Sequence, residues 1–477
     1  MIQSILVSEN QSNFSGLKLE WDRSPGHPSL IRQLEHGLRT AVQRGQLPAG
    51  ARLPASRVLA DQLGCSRWVV VQAYEQLVAE GYFASVTGAG TYVQSLPAHD
   101  ERRHRSSIEN ISWRYDFAAG IPDLSLFPRR EWLAATRSAL NTAPSAEFDY
   151  GTPAGLLALR TNLAAYLGRV RGAVAVADDL VITNGVVHAV AVMARAMRAR
   201  GFDRIGVEHP GWIPLRTPFD GSGLTPIPIP VDSEGLDVTE LIRSGARAVL
   251  ISPAHQFPVG SVMSPRRRAA LLEWADAVDG LIIEDDYDAE FRYDRNPLAA
   301  IQGLLPERVV LVGSVSKSLA PALRLGWMVL PESWKTPALD ALRAVDPSVA
   351  VISQLAFAEY LSSGGFERHL RRMRKDYAGR RQQLVASMTE HFPNVTVQGI
   401  SAGLHLMADL GPGSDIAFAA QAAAQQIRVY PVSRYCLNRD IPDQYMNRRA
   451  VVLGYGGIPQ HRIAEGIKTL SNIASTI

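Results

Sequence analysis

From Trp113 to the end of the chain, short apolar runs alternate with longer segments of helical periodicity. This alternation restricts the fold more than any other feature of the sequence. Five runs are strand-like, namely DDLVITNG, RIGVEHP, AVLISPAH, GLIIEDDY and RVVLVGSVSK, and the helical segments include LLALRTNLAAYLGRVRG and HAVAVMARAMRARG. Alternation of this kind is typical of a mostly parallel sheet covered by helices. We therefore expect an α/β fold over the larger part of the chain.

Length and composition allow more than one domain and exclude some classes of protein. The chain has 477 residues, of which 46% are hydrophobic, which suffices for two or three domains. It contains no run of 18 apolar residues, and its start lacks both a basic region and a long apolar region, so we expect neither a membrane span nor a secretory signal. Cys65 and Cys436 fit neither a disulfide framework nor a metal site. The expected location is the cytoplasm, and no metal is expected.

The N-terminal part of the chain has a different pattern. Three short helical segments end at Gly45, Gly64 and Gly81, and two strand-like stretches follow in YFASVTGAGTYVQ. Ser66 stands before the third helix as a candidate cap. The polar segment LPAHDERRHRSSIENIS has no periodicity and is typical of an exposed linker. These patterns divide the chain into a small domain at 1–95 with an N-terminal extension, a linker at 96–112 and a large domain at 113–477.

The small domain has the pattern of a winged helix-turn-helix. Its second and third helices are joined by the tight turn LGCS and followed by a hairpin, and the third helix would lie in a DNA major groove. The net charge of +3 is too small to indicate a nucleic-acid partner by itself. Arg52, Arg57 and Arg67, with only Asp61 among them, could form a small basic face. A solvated helix surface and a protein-interaction module are the alternatives.

The stretch from RLPASRVLADQLGCS to GTYV resembles the DNA-binding domain of the GntR family. That resemblance implies a double-stranded DNA operator as a partner. The family commonly has a threonine two residues after the arginine, where this chain has Val69, so a hydroxyl group directed at phosphate is absent. By the resemblance, the residues that face DNA are Arg57, Ser66, Arg67 and Gln72, with Gly88, Gly90 and Thr91 at the wing tip.

The segment GSVSKSLAPALRLGW places one lysine, Lys317, among serines inside an apolar run. A desolvated lysine amine has a lowered pKa and can form a Schiff base with an aldehyde, as the lysines of pyridoxal phosphate (PLP) proteins do. Ser314 and Arg324 are suited to bind phosphate. The alternative is a lysine that reaches solvent from the end of a strand.

Ligands of α/β sheets lie beyond the carboxyl ends of the strands, so the residues that follow the apolar runs are candidates for binding. After the first run, Asn184, Gly185 and Val186 open a helix whose free amides can hold a phosphate. Trp212, after the second run, can stack on a heteroaromatic ring. A plain strand-to-helix turn and a core aromatic residue are the structural alternatives.

The next two runs add polar candidates. His255 and Gln256 offer contacts to a ring substituent, although a histidine there is often structural. Asp285 is predicted to bond a protonated pyridine nitrogen, and Tyr287 the phenolic oxygen of PLP. Consecutive acids can instead bind Mg²⁺ or remain solvated.

In this order, the candidates resemble those of fold-type I aminotransferases, and the spacing S-x-x-K-x6-R is a specific part of that match. A GntR-like domain, a linker and an aminotransferase-like domain form the layout of the MocR/GabR group of bacterial regulators. The stretches GIPDLSLFP, HQFPVG, EDDYDAEFRY, SKSLAPALRLGW and AGLHLMADL also resemble that group. The resemblance implies PLP on Lys317 and a head-to-tail homodimer in which Tyr150 reaches the partner's PLP phosphate. Val187 and His188 replace glutamines that are frequent in the group, so the phosphate contacts there are open.

These features predict a PLP-dependent transcriptional regulator whose effector is an amino compound or PLP itself. The effector would alter DNA binding by changing the state of the large domain, and catalytic turnover is not required. Arg434 is the candidate contact for an effector carboxylate, with a surface arginine as the alternative. The competing prediction is a working aminotransferase with an accessory N-terminal domain. A third possibility is a regulator that senses the PLP level alone.

Overall fold

The chain separates into two compact units, Met1–Glu109 and Asn110–Ile477. The structure, a computed structural model, describes residues 3–6, 18–21, 24, 26–95, 112–294, 298–345, 348–437 and 440–475. The expected linker at 96–112 lies outside the described residues except for Ser112.

The N-terminal unit has the helices and the wing that the sequence predicts. Its elements are β1 (Gln3–Leu6), β2 (Lys18–Trp21), α1 (Leu30–Gln43), α2 (Ser56–Leu63), α3 (Arg67–Ala79), β3 (Phe83–Val86) and β4 (Gly90–Val93). Strands β3 and β4 pair in antiparallel orientation and form the wing, and β1 pairs with β2 in the same way. The predicted winged helix-turn-helix is confirmed.

The turn between α2 and α3 has a clear local cause. Gly64 caps α2 in the left-handed conformation, with φ of 60°, which costs glycine little because it has no Cβ. Ser66 occupies the N-cap position of α3, but contrary to expectation its side chain makes no capping hydrogen bond. Val69 is only 8% exposed and packs with Leu59 and Val70. The side chain at position 69 therefore belongs to the core of this unit.

The large unit is built on an eight-stranded sheet, and it begins with a short strand outside that sheet, β5 (Tyr115–Asp116). The strands of the sheet are β6 (Leu180–Thr183), β7 (Arg204–His209), β8 (Thr225–Asp232), β9 (Gly235–Leu236), β10 (Ala248–Ile251), β11 (Leu281–Asp286), β12 (Val309–Ser314) and β13 (Gly326–Val329). Their spatial order is β6-β13-β12-β11-β10-β7-β8-β9. Strands β8, β7, β10, β11 and β12 are parallel, whereas β13 runs antiparallel to both of its neighbours. All five predicted runs form strands of this sheet.

Helices cover both faces of the sheet, as a sheet of continuous apolar strands requires. The helices of the large unit are α4 (Arg129–Thr142), α5 (Leu157–Arg171), α6 (Val186–Ala199), α7 (Thr217–Ser222), α8 (Val238–Ser244), α9 (Pro265–Ala277), α10 (Glu332–Arg343), α11 (Val351–Ser362), α12 (Gly365–His391), α13 (Asp415–Ala424) and α14 (Gln460–Ala474). Along β12, Leu311 packs into the core on one face of the sheet, and Val310 and Val312 pack into the core on the other. The two predicted helical segments correspond to α5 and α6.

The C-terminal part of the large unit forms a second, smaller sheet. Its strands are β14 (Thr396–Gln398), β15 (His405–Pro412), β17 (Tyr430–Pro431) and β18 (Arg448–Gly454), while β16 (Ile427–Arg428) pairs with β5 in parallel. Among the described residues, no helix combines the length and the apolar character that crossing a membrane requires.

Candidate functional site: a cavity at the carboxyl ends of the parallel strands

The carboxyl ends of the parallel strands open onto a cavity of about 400 Å³. Each of the five predicted strands contributes to its wall, directly or through the residues that follow it, as expected for an α/β sheet. Eight of the residues predicted from the sequence to bind the cofactor line this cavity: Gly185, Val186, Trp212, Asp285, Tyr287, Ser314, Lys317 and Arg324.

Lys317 reaches into the cavity from the loop after β12. Its Nζ donates a hydrogen bond to the carbonyl oxygen of Gly120 at 2.6 Å and lies 5.9 Å from the centroid of the Trp212 ring. Burial lowers the pKa of the amine, although the charges of Asp288 and Asp285 act in the opposite direction. The amine therefore loses its proton more readily than a solvated lysine does, which favours attack on a carbonyl group.

The three acids at the end of β11, Glu284, Asp285 and Asp286, have different surroundings. Glu284 accepts hydrogen bonds from the backbone N–H groups of Ile301 and Gln302, both at 3.0 Å. Asp286 forms a bidentate pair with Arg171, at 2.7 and 2.9 Å. Only Asp285 of the three lines the cavity. The acids are therefore not a shared cation site, because two of them are already bound to protein groups.

Asp285 carries an oxygen without a partner. Its Oδ1 is buried and has no hydrogen-bond partner among the described residues. Burial raises the pKa of Asp285 well above its ordinary value, and the charges of Asp286, Glu208 and Asp288 add to that rise, whereas Lys317 lowers it. A cationic donor placed at this carboxyl group would stabilise its ionised form.

The opposite end of the cavity suits a phosphate group. Gly185 precedes α6 with φ of 99°, and the first N–H groups of α6 have no acceptor within the helix. Arg324 lies nearby, because a Cβ added to Gly185 would be 3.7 Å from the arginine Nη1. Arg324 adopts φ of 49°, a left-handed conformation that is uncommon for residues other than glycine. Ser314 lines the same cavity.

Val187 and His188, which replace glutamines that are frequent in the group, differ in their position relative to the cavity. Val187 lines the cavity and offers only its backbone N–H, whereas His188 does not line it. The Nδ1 of His188 accepts a hydrogen bond from the backbone N–H of Asn184 at 3.0 Å. Asn184 is likewise outside the cavity wall, so the polar groups that this segment offers to a phosphate are backbone N–H groups.

His255 and Gln256 lie behind the wall, and neither lines the cavity. The Nε2 of Gln256 donates to the carbonyl oxygens of Pro210 and Phe257, at 3.0 and 2.7 Å, and its Oε1 accepts from Val259 N–H at 3.0 Å. This side chain therefore ties two loops together. Phe257, the next residue in the chain, lines the cavity instead.

Two charged residues of the wall were missed by the sequence analysis. Burial raises the pKa of Glu208 to about 7. Arg216 is 3% exposed and donates to the carbonyl oxygen of Glu208, and its Nη1 has no partner among the described residues. Glu208 is the second-to-last residue of β7, which ends at His209, so a search for charges near strand ends could have found it. Arg216 follows in the next turn, where no pattern indicates a contact.

Arg434 and Tyr150 are both outside the cavity wall. Arg434 is exposed, and its guanidinium lies 4.7 Å from the centroid of the Tyr430 ring. Tyr150 is 89% exposed. Within this chain neither side chain contributes to the cavity.

In the winged helix, the residues predicted to face DNA are partly or wholly exposed. Arg67 Nε donates to Ser56 Oγ at 3.2 Å, and Gln72 Nε2 donates to Glu75 Oε2 at 2.9 Å. Trp68, which the sequence analysis did not consider, is 63% exposed in the first turn of α3. An aromatic side chain this exposed at the start of a recognition helix is a further candidate for DNA contact.

Comparison with known proteins connects both units to one family. Residues 30–93 match the model of bacterial regulatory proteins of the gntR family, and residues 115–441 match the model of aminotransferase class I and II. The chain is 35% identical over 394 residues to the HTH-type pyridoxine biosynthesis transcriptional regulator PdxR of Corynebacterium glutamicum, with 80% of this chain and 84% of that protein covered. It belongs to the MocR/GabR-type transcriptional regulators.

Other relatives show the same two-part layout or the fold of the large domain. The MocR/GabR-type chain is 30% identical over 473 residues to a protein of Rhizobium meliloti named "Probable rhizopine catabolism regulatory protein MocR", with 94% of both chains covered. A structure of kynurenine aminotransferase from Pyrococcus horikoshii superposes with a TM-score of 0.69 at 27% identity, covering 76% of this chain and 91% of the other. The relatives that span both units are named as regulators, which favours regulation over the competing prediction of an aminotransferase.

PLP is the cofactor of this MocR/GabR-type regulator, and the cavity fits it. Lys317 is the amine available to the PLP aldehyde, and Asp285 has a free oxygen for the pyridine nitrogen. Gly185 and Arg324 lie together at the end of the cavity that would hold the phosphate. When bound, PLP supplies a carbonyl carbon for amines and a ring that withdraws electrons.

We expect borohydride reduction of PLP-loaded protein to attach the cofactor to Lys317, because its amine is the one that burial has made easy to deprotonate inside the cavity. Peptide mapping by mass spectrometry would identify the modified residue. Lys317→Ala should show no attachment at this position and serves as the control. Modification of a different lysine in the wild type would contradict the assignment.

We expect Asp285→Asn to stabilise the PLP-free protein and to weaken PLP binding. The folded-state pKa of Asp285 is raised, so its contribution to stability is present at low pH and is lost as pH rises through that pKa. PLP-free Asp285→Asn should therefore melt at a higher temperature than the PLP-free wild type at neutral pH. PLP affinity should fall by about 10- to 100-fold, the cost of a lost charged hydrogen bond of about 1.5–3 kcal/mol.

Both quantities can be measured, by calorimetry and by PLP titration. Asp276→Asn, at an exposed position of α9, is the matched control and should change neither of them. Unchanged PLP affinity in Asp285→Asn would show that another group bonds the pyridine nitrogen.

Proposed function

We propose that this regulator acts in the cytoplasm and that an amino compound, or PLP itself, bound in the cavity of the large domain changes DNA binding by the winged helix. The observation that carries the proposal is that one cavity holds both Lys317 and Asp285, whose Oδ1 has no partner among the described residues, in a chain that also has a GntR domain. The relative PdxR, whose name refers to pyridoxine biosynthesis, supports the inclusion of PLP among the effectors.

The chemistry of Lys317 explains how an amine could act as the effector. A primary amine that enters the cavity competes with the Lys317 amine for the same carbonyl carbon. Release from the carbonyl carbon returns Lys317 to the free amine, whose Nζ in this structure donates to Gly120 in the cavity wall. The effector changes DNA affinity only if it binds the two states of the protein with different free energies.

This mechanism can be tested by measuring operator binding with PLP alone and with PLP plus a panel of amines. We expect at least one amine, or PLP alone, to change the affinity of the wild type for its own promoter region. Lys317→Ala should lose the response to amines but keep DNA binding. A wild-type affinity that is the same under every condition would contradict the regulatory proposal.

We also propose that the protein is a homodimer that forms through an apolar face of α4, α5 and α11. Five large apolar side chains on or next to these helices are exposed: Leu133, Leu140, Phe148, Leu157 and Ile352. Tyr150 lies in the same stretch of chain and is 89% exposed. Extended exposed apolar patches mark interaction surfaces. On this face Tyr150 would be available to the PLP phosphate of a partner subunit, and the two subunits would be head-to-tail.

Leu133→Glu should convert the dimer into a monomer, because it places a charge within the proposed apolar face, and sedimentation velocity would measure the mass. Ile416→Asp, at another exposed apolar position, on α13, is the control and should leave the mass unchanged. Tyr150→Phe should weaken PLP binding without altering the mass. A wild-type protein that sediments as a monomer would contradict both the interface and the role of Tyr150.

The proposed DNA-binding surface is the start of α3 together with the wing. Arg67 is exposed there and held by Ser56, so its remaining guanidinium nitrogens can bond a guanine edge or a phosphate. The indole ring of Trp68 offers an apolar surface of the kind that contacts thymine methyl groups.

Arg67→Ala should weaken operator binding by about 1–3 kcal/mol and relax specificity at one position if Arg67 contacts a base. If it contacts a phosphate, all sequences should weaken equally and the salt slope should fall by about one unit. Quantitative footprinting at several salt concentrations distinguishes the two. Unchanged affinity and salt dependence would show that Arg67 does not touch DNA.

If Trp68 contacts thymine methyl groups, the affinity for the operator should depend on single methyl groups. Replacing a contacted thymine by deoxyuridine should cost the wild type about 0.8 kcal/mol, the value of one buried methylene-sized group. Trp68→Ala should bind the thymine and deoxyuridine operators equally, and Trp68→Phe should keep part of the difference. Equal affinity of the wild type for every deoxyuridine-substituted operator would contradict a role for Trp68 in reading thymine.

A further inference from the structure

Three sequence stretches that are far apart in the chain meet in a buried cluster directly behind the cavity wall. His255, Asp288 and His405 are 3%, 1% and 2% exposed, and one ligand-type atom of each lies within 4.8 Å of the others. A Cβ on Gly403 would lie 2.1 Å from the His255 ring and 2.5 Å from Asp288 Oδ2. Only glycine at this position lets the chain pass so close to the cluster.

This cluster touches the cavity through Tyr287. The Nδ1 of His255 lies 2.9 Å from Asp288 Oδ2 and 3.1 Å from the Tyr287 hydroxyl oxygen. The His255 and Tyr287 rings are stacked, with their centroids 6.2 Å apart. Tyr287 lines the cavity, whereas His255 and Asp288 do not. A hydrogen-bonded influence of these two residues on a ligand therefore passes through Tyr287, whereas the charge of Asp288 also acts on Lys317 directly.

The position of the imidazole proton of neutral His255 decides whether His255 can accept the hydroxyl hydrogen of Tyr287. An ionised carboxylate only accepts hydrogen bonds, so Asp288 requires the proton of neutral His255 to be on Nδ1. With a proton on Nδ1, His255 cannot accept the O–H of Tyr287. Burial, followed by the charges of Asp288 and Asp285, raises the pKa of Tyr287 well above its ordinary value, so the phenol keeps its proton. Besides His255, two acceptors are open to that proton: the Asp288 carboxylate, which interacts with the Tyr287 hydroxyl, and a ligand in the cavity that Tyr287 lines.

We propose that Asp288 and His255 are positioning residues: Asp288 holds the His255 proton on Nδ1, which prevents His255 from accepting the Tyr287 hydroxyl hydrogen and keeps that hydrogen available to the phenolic oxygen of PLP in the cavity. This inference rests on the proposed contact between Tyr287 and PLP. It assigns a role to two residues that the cavity wall itself does not contain.

Asp288→Asn tests the inference, because a neutral amide no longer requires the histidine proton to be on Nδ1. With that proton on Nε2, the single lone pair of Nδ1 can accept the Tyr287 hydroxyl hydrogen and withdraw it from the cavity. In PLP-loaded full-length protein we expect the absorption maximum of the bound cofactor to shift in the same direction as in Tyr287→Phe. PLP affinity should fall by about tenfold, as for one lost hydrogen bond to a charged group. Asp288→Glu retains a carboxylate and should restore most of the wild-type spectrum.

The double variant Tyr287→Phe/Asp288→Asn supplies the decisive comparison. If Asp288 acts mainly through Tyr287, the second substitution should change the spectrum and the affinity of Tyr287→Phe much less than Asp288→Asn changes those of the wild type, the remainder being the effect of the lost charge on Lys317. Additive effects would overturn the inference. His255→Asn provides the same comparison should Asp288→Asn fail to fold, and it should also have no effect in the Tyr287→Phe background.

Two further outcomes separate this inference from its rivals. Tyr287→Phe could leave the spectrum and the PLP affinity unchanged while PLP still attaches to Lys317. The proposed contact between Tyr287 and PLP would then be wrong and the inference would be overturned. The regulatory proposal would be unaffected, because it does not depend on that contact. The same three side chains could instead ligate a divalent metal, with a ring nitrogen of each histidine and a carboxylate oxygen of Asp288 as ligands. A stoichiometric metal ion in purified protein, found by elemental analysis and removed by Asp288→Asn, would overturn the positioning role.

Discussion

The buried ion pair between Arg171 and Asp286 is the interaction on which the site of the large domain depends. It joins the last residue of α5 to the end of β11, with both side chains almost completely buried. Removing one partner of such a pair costs about 3–5 kcal/mol, because an uncompensated charge is left in the interior. The pair neutralises one of three consecutive acids, and Glu284 is held by backbone N–H groups. The strand can therefore end in buried acids and still present Asp285 to the cavity.

Desolvation shifts the pKa values of the two groups at the ends of the cofactor site, Lys317 and Asp285, in opposite directions. It lowers the pKa of Lys317 and raises that of Asp285, so that in the absence of a ligand each group is driven towards its neutral form. PLP suits both, because its aldehyde reacts with a neutral amine and its protonated ring nitrogen stabilises a carboxylate. The free energy of PLP binding is thus coupled to the protonation of the cavity, and ligands that bind only the folded protein stabilise it.

Much of this arrangement could be predicted from the sequence, for identifiable reasons. The central strands of a covered parallel sheet are continuous apolar runs, and five such runs correspond to β6, β7, β10, β11 and β12. Residues that follow these runs gather at one edge, which is why eight of the predicted cofactor residues line one cavity. Gln256 also follows a strand, but its polar atoms bond the backbone of neighbouring loops. Position after a strand does not specify the side to which a loop residue turns.

By itself, the sequence determined the type of most elements, the division into a winged helix and an α/β domain, and the apolar setting of Lys317. These properties are local, since they depend on periodicity, glycine positions and residues within a few places of one another. Only the tertiary structure decided which of the three acids faces the cavity, that Gly120 accepts the Lys317 hydrogen bond, and that Glu208 and Arg216 share the wall. Those contacts join segments up to 197 residues apart. Sheet order and side-chain direction set them, and a linear pattern contains neither.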